Sequence, residues 1–183
     1  MGLSLAKEAY IRGYDLTLIV ANVDVEIPSL FNVVNVETSS EMNKEVLSLV
    51  PYFDIFISAA AVSDFEFKKK SDKKIDSSSS LFLNLKPTTK IIREIKKINP
   101  DIFLVGFKAE FNISKYEIIE CAKKQIDDAG SDLVIANDIS KSQCQFGSDT
   151  NEVYVVDSDV LHLSLASKTE IAKEIFDIIE KKI

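Results

Sequence analysis

The chain has two cysteines, one histidine and five glycines in 183 residues. Cys121 and Cys144 lack metal-type spacing, so neither a disulfide framework nor a zinc site is indicated. So few thiols fit a reducing, cytoplasmic setting. His162, the single histidine, lies between apolar residues in an expected strand and reads as structural. Histidine triads and histidine metal sites therefore find little support. The glycines are scattered, with no Gly-x-Gly-x-x-Gly, which disfavours a nicotinamide-dependent oxidoreductase. No apolar run approaches the roughly 20 residues needed to span a bilayer. The first residues show no basic region followed by an apolar core, as a secretory leader would. The net charge of −7 argues against a non-specific nucleic-acid binder. It leaves room for a polyphosphate ligand, since a few lysines, backbone amides and Mg²⁺ can hold one against an acidic background.

What is present is a 46% hydrophobic chain, long enough for one domain over residues 1–183. Leu3–Arg12 has helical spacing and stops at Gly13. Leu16–Ala21 and Asn32–Val36 read as strands. Ser39 or Ser40 is placed to cap a helix reaching Leu49, before Pro51. Asp54–Ser58 is an apolar run of the buried parallel kind. Phe67–Ser80 is a lysine- and serine-rich connection, and Leu81, Leu83 and Leu85 alternate as in a strand. Thr88 is placed to cap a helix carrying Ile91, Ile92, Ile95 and Ile98. Ile102–Ala109 is a strand, Ser114 begins a helix that Gly130 closes, and Leu133–Ala136 is a strand ending at Asn137-Asp138. Strands near Val153–Val156 and Val160–Leu163 precede a last helix, opened by a Ser167/Glu170 capping box. The alternation implies an α/β, Rossmann-like three-layer αβα fold with a mainly parallel sheet. The opening helix has no strand feeding it, so the first strand, usually central in such sheets, is expected to be missing.

The most informative stretch is Ala59-Ala60-Ala61-Val62-Ser63-Asp64, with Lys74-Ile75 beyond it. Three alanines thin the side chains where something packs closely on the backbone. Asp64 then stands at a strand's carboxyl end, where open α/β sheets bind ligands. It can hold Mg²⁺ directly or through water, or it can cap the loop. The lysines that follow are movable point charges on a solvated connection. Phe107, after Gly106, is either a core aromatic or a wall of the site.

These residues resemble the phosphopantothenate–cysteine ligase family of coenzyme A biosynthesis. Further matches follow in order: Leu83-Asn84-Leu85-Lys86-Pro87-Thr88, Val105-Gly106-Phe107-Lys108-Ala109-Glu110, Ile135-Ala136-Asn137-Asp138 and Ser167-Lys168-Thr169-Glu170. The resemblance implies nucleotide contacts from Ser58, Ala59, Ala60, Asp64, Lys74, Thr89, Lys90, Ile91, Ile92 and Phe107. Catalytic roles fall to Lys74 and Asp64, and Asn137 and Asp138 shape the substrate pocket or cap a turn. The family often carries two lysines where this chain has Gln125 and Ala129, and Lys124 could substitute from the preceding position. Members open with a glycine-rich strand-loop, which the start at Met1-Gly2-Leu3 lacks.

The implied activity joins 4′-phosphopantothenate to L-cysteine at the expense of a nucleoside triphosphate, CTP before ATP. It proceeds with Mg²⁺, without flavin, through an acyl-nucleotidylate. The resemblance also implies a homodimer and fusion behind a flavin-dependent decarboxylase domain, with no nucleic-acid or membrane partner. Without the glycine-rich segment the chain as given is expected to be a weak or inactive ligase. A non-catalytic nucleotide-binding or assembly module of the same fold is the alternative.

Overall fold

The computed structural model describes residues 1–68, 73–76, 78 and 80–183. Lys69 and Lys70 of the lysine run and Ser77 and Ser79 of the serine run lie outside the described residues.

Helix α1 spans Gly2–Ile11, followed by β1 (Thr17–Val20), β2 (Asn32–Asn35) and α2 (Ser39–Leu49). After a 3-10 turn at Val50–Tyr52 come β3 (Ile55–Ser58), β4 (Phe65–Phe67) and β5 (Leu85–Pro87). The chain continues with α3 (Ile92–Ile98), β6 (Phe103–Glu110), α4 (Lys115–Ala129) and β7 (Leu133–Asp138). It closes with β8 (Thr150–Val156), β9 (Val160–Ser167) and α5 (Lys168–Ile179).

Among the described residues, a five-stranded sheet runs in the order β3-β6-β7-β8-β9. The β3–β6 and β6–β7 pairs are parallel, and β7–β8 and β8–β9 are antiparallel. The sheet is thus mixed, where the sequence suggested a mainly parallel one. The connection from β8 to β9 spans only Asp157–Asp159, too short for a parallel crossover, so that pair is a hairpin. Strands β1 and β2 form a separate parallel pair, and β4 and β5 a separate antiparallel ribbon.

Helices cover both faces of the larger sheet. Val105, Leu133 and Ile135 pack with Leu5 and Ala9 of α1 and with Ile171, Ile175 and Phe176 of α5. Val134 and Ala136, one step along β7, pack instead with Ile118 and Ala122 of α4. The two-residue period of a strand produces this division. Leu104, Ile95 and Val46 join the sheet to α3 and α2. Arg12 ties α1 to α5, its guanidinium donating to Glu8 at 2.7 Å, Asp177 at 2.6 Å and Glu180 at 2.7 Å.

The local signals for α4 and α5 act as expected. Ser114 accepts from the Glu117 amide, and Ser167 from the Glu170 amide, each in a reciprocal capping box. Gly130 closes α4 with φ 67°, a conformation that costs glycine little.

Three other expectations are corrected. Thr38, not Ser39 or Ser40, caps α2 by accepting from the Glu41 amide. Leu81 and Leu83 lie outside any strand; only Leu85–Pro87 pairs, because its partner β4 is three residues long. Thr88 does not cap α3, which begins after Ile91 without a side-chain cap. Its hydroxyl instead donates to the Ser63 carbonyl at 2.5 Å, and its amide to the Asp64 carbonyl at 2.9 Å.

Gly106 leaves space that the ends of the Gln125 and Ile92 side chains occupy. A Cβ there would lie 2.1 Å from Gln125 Nε2 and 3.1 Å from Ile92 Cδ1. Gly106→Ala should therefore destabilise the domain by about 1–3 kcal/mol, the usual range for overpacking. Adding Gln125→Ala should recover part of that loss. Urea unfolding of both single variants and the double variant checks this, and independent, additive losses would contradict the close approach.

Candidate functional site at the carboxyl edge of the sheet

The parallel register decides which residues meet. Ser58 is opposite Gly106, Ala109 is opposite Asn137, and Glu110 is opposite Asp138. The carboxyl ends of β3, β6 and β7 thus form one edge, the usual ligand position in open α/β sheets.

Ser58 is the last, half-buried residue of β3. Ala59 packs on the α1/α5 core, and a Cβ on Gly2 of α1 would lie 3.7 Å from its own. The small alanine thus lets the start of α1 approach the end of β3. Ala60 is exposed.

Asp64 is exposed and forms an ion pair with Lys90. Lys90 holds the Asp64 carboxyl below its ordinary value, first by hydrogen bonding and then by charge, with a smaller effect from Lys108. Asp64 and Lys90 are 26 residues apart, and the Thr88 bonds to Ser63 and Asp64 bring their segments together. Exposed pairs of this kind contribute little to stability.

Lys74 is exposed in the β4–β5 connection, and among the described residues the cation on Asp64 is Lys90. Thr89 is exposed, whereas Ile91 is buried and Ile92 half-buried against the α2/α3 core. Their side chains belong to packing. Lys108 pairs with Glu110 at 2.9 Å.

Phe107 packs against the α1/α5 core. Strand alternation places Phe107 and Asn137 toward α1 and α5, and Gly106 toward α3 and α4. Asp64, near Lys90 and Lys108, is on the α3 side. The edge thus has two flanks, with Asp64 and Lys90 on one and Phe107 and Asn137 on the other. On α4, Lys124 is exposed, while Gln125 reaches Gly106. Gln125 Nε2 is buried without a hydrogen-bond partner among the described residues.

Asn137 is buried and donates from Nδ2 to Asn151 Oδ1 at 3.2 Å. Asn151 carries no sequence signal for such a role, and only the fold reveals it. Asp138 accepts from the backbone N–H groups of Asn112 at 3.0 Å and Ser140 at 2.9 Å. Burial alone would raise its carboxyl, but the Ser140 and Asn112 amides outweigh burial and hold it below its ordinary value. Its carboxylate ties two loops to the end of β7.

His162 is exposed, stacked on Tyr154 and 2.7 Å from Glu152. It lies on the β8–β9 hairpin. Among the described residues no three His, Cys, Asp or Glu side chains are grouped to hold a metal. Cys121 and Cys144 are free. A polar hollow of about 60 Å³, lined by Ser39, Ser40, Asn43, Glu66, Thr88 and Thr89, adjoins the Asp64 flank. A larger concavity of about 450 Å³ lies at the opposite edge and carries Asp15, Asp54 and Asp101, which repel phosphate.

A three-layer α/β domain with polar groups at the carboxyl edge of a parallel core has the architecture in which ligands bind beyond the strand ends. The family model described as DNA/pantothenate metabolism flavoprotein C-terminal domain matches residues 1–183, and the chain belongs to that family. It is 44% identical to the coenzyme A biosynthesis bifunctional protein CoaBC of Thermococcus kodakarensis, over all of this chain and 45% of that protein. The corresponding protein of Methanocaldococcus jannaschii is 34% identical, over all of this chain and 44% of its own length. The chain thus spans less than half the length of these curated relatives. Among solved structures, the DNA/pantothenate metabolism flavoprotein of Streptococcus pneumoniae has a TM-score of 0.84 at 22% identity, covering 98% of this chain and 86% of that one. A Cab2 variant in complex with phosphopantothenate-cysteine has a TM-score of 0.74 at 18% identity, covering 98% of this chain and 77% of that one. Among the described residues no helix is long and apolar enough to cross a membrane.

The Asp64–Lys90 pair yields a pH prediction. A carboxyl whose folded-state pKa is depressed adds stability above its ordinary pKa of about 3.9. That contribution is lost as pH falls through the lower folded value. Carbon-detected NMR titration should find Asp64 below the ordinary range in the wild type and close to it in Lys90→Gln. An unchanged midpoint in the variant would contradict the pairing.

Proposed function

We propose that this domain carries the ligation of 4′-phosphopantothenate to L-cysteine, driven by a nucleoside triphosphate. The observation that supports it most strongly is the 44% identity, along the whole chain, to a bifunctional protein of coenzyme A biosynthesis. The exposed Asp64–Lys90 pair at the carboxyl edge is compatible with it.

In the first step a pantothenate carboxylate oxygen attacks the α-phosphorus. The bond to the bridging oxygen breaks, and pyrophosphate leaves with the electron pair. In the second, the cysteine amine attacks the activated carbonyl, loses a proton and displaces the nucleoside monophosphate. Neither step requires a protein nucleophile, which suits a chain with two free cysteines and one exposed histidine. Catalysis then rests on alignment and charge stabilisation. Lys90 and Lys74 would meet the phosphates, with Lys90 exchanging its bond to Asp64 for one to the ligand. Lys74, in the connection between β4 and β5, would stabilise charge developing on the departing pyrophosphate.

Asp64 fits Mg²⁺ as a single exposed carboxylate, since Mg²⁺ is commonly held by one or two carboxylates together with substrate phosphates. The ion, when bound, would neutralise phosphate charge. Ser58, Ala59 and Ala60 would act through the main chain and their small size, and Thr89 through its exposed backbone. Phe107 would wall the site. CTP is the preferred nucleotide in this reading, with ATP the competitor. Gln125, uncharged where the family often has lysine, and exposed Lys124 both bear on that choice. The reading also includes a homodimer and fusion behind a flavin-dependent decarboxylase domain.

Lys74→Gln in the full-length protein should lower pyrophosphate release by about 10²–10³, the usual cost of one charge-stabilising donor. Its melting temperature should stay within a degree or two of wild type, as for most exposed substitutions. Release is measured with 4′-phosphopantothenate, L-cysteine, Mg²⁺ and either CTP or ATP. Unchanged release, or a large fall in melting temperature, would contradict the role of Lys74. No release from the wild type with either nucleotide would favour the non-catalytic module.

A further inference from the structure

The buried Asn137–Asn151 pair has a fixed polarity. Asn151 is 4% exposed and Asn137 is 9% exposed. Asn151 Oδ1 accepts the backbone N–H of Glu152 at 3.1 Å. A backbone N–H can only donate, so the atom it meets must be the amide oxygen. The same oxygen is 3.2 Å from the Asn137 amide, which must therefore offer its nitrogen. Oxygen and nitrogen of an asparagine are usually assigned from such a network, and this one allows a single assignment.

Glu152 cannot easily turn away to release the constraint. It lies in β8, and its carboxylate binds Lys141 at 2.5 Å and His162 at 2.7 Å. Asn151 stands beside an irregularity in the β8–β9 ladder, between Asn151 and Val153. A bulge of this kind re-aims a side chain, here across to the end of β7.

The consequence falls on the other end of Asn137. With Nδ2 held by Asn151, Oδ1 faces away from β8. Among the described residues it accepts no hydrogen bond and is not among the fully buried unpartnered atoms. An acceptor is thus presented at the carboxyl edge, opposite Ala109 and on the same flank as Phe107 and the start of α1.

We infer that Asn151 is a positioning residue, holding Asn137 so that its carbonyl oxygen receives a hydrogen-bond donor of a bound substrate. The assignment of that donor rests on the ligase reading. Donors of the required kind are the cysteine amine, the amide N–H and hydroxyl of 4′-phosphopantothenate, and the exocyclic amine and ribose hydroxyls of the nucleotide. A group that can only accept, such as a carboxylate, cannot bond to this oxygen.

The orientation is tested without turnover. In ¹⁵N-labelled protein the Asn137 side-chain N–H₂ should exchange slowly with solvent, because its nitrogen faces inward. Asn151→Asp keeps an acceptor and should preserve slow exchange. Asn151→Leu removes the acceptor and should speed exchange at least tenfold, with backbone amide protection elsewhere unchanged. Solvent-rate exchange of Asn137 in the wild type would overturn the proposal without recourse to a variant. Steady-state ligation by the full-length protein tests the substrate side. Asn151→Leu should raise KM roughly tenfold for one substrate, with a smaller change in kcat, as expected when an oriented hydrogen bond is lost. The substrate whose KM rises, cysteine, 4′-phosphopantothenate or the nucleotide, is the one that carries the donor. Unchanged KM for all three substrates, or equal losses in Asn151→Asp and Asn151→Leu, would overturn the positioning role. Absence of ligation in the wild type would remove the ligase reading and the substrate assignment with it, while the exchange experiment still decides the orientation.

Discussion

Burial of the central strands on both faces is the constraint on which the rest of this structure depends. Leu104 and Val105 of β6 and Leu133, Val134, Ile135 and Ala136 of β7 are fully inaccessible. Each successive side chain enters a different helix-covered layer, so no polar group has room until the strands end. Polar chemistry is thereby pushed to the edges. At the carboxyl edge the register brings Ser58, the end of β6 and Asn137-Asp138 into one region. The antiparallel β8–β9 hairpin extends the sheet beyond β7 and supplies Asn151, which orients the last side chain of that buried row.

The two flanks of the edge differ in how firmly their polar groups are held. Asp64 and Lys90 are exposed, paired with one another and free to exchange partners. Asn137 and Asn151 are buried, and their hydrogen bonds allow one orientation. The proposed ligation, in which a carboxylate is activated and an amine then admitted, calls for both properties. Movable charge suits the phosphates, and fixed acceptors suit a small polar substrate whose reacting atom must be aligned. Asp138, with its carboxylate committed to the Asn112 and Ser140 amides, belongs to the fixed scaffold.

Much of this was legible in the sequence where the signals are local. The Ser114/Glu117 and Ser167/Glu170 boxes act within four residues, and the apolar run of β3 needs no partner to be recognised. Thr88 misled because a threonine before a helical pattern has the same local appearance whether it caps the helix or ties down a strand end; its actual partners are Ser63 and Asp64. The direction of β8 and β9 depends on the length of their connection, and their apolar periodicity does not reveal it. The Asp64–Lys90 pair joins residues 26 apart, and Asn137–Asn151 joins residues 14 apart across two strands. No sequence period encodes either. Gln125 was visible as a departure from the family pattern, but its close approach to Gly106 emerges only when α4 lies against β6.

The central claim is that the ligands bind at the carboxyl edge rather than in the larger acidic concavity at the opposite edge. Backbone chemical-shift mapping with 4′-phosphopantothenate, and separately with CTP and Mg²⁺, tests it most directly. The account predicts saturable shifts at Ser58–Asp64, Thr89–Ile92, Phe107 and Asn137, with Asp15, Asp54 and Asp101 unmoved. Saturable shifts confined to Asp15, Asp54 and Asp101 would contradict it.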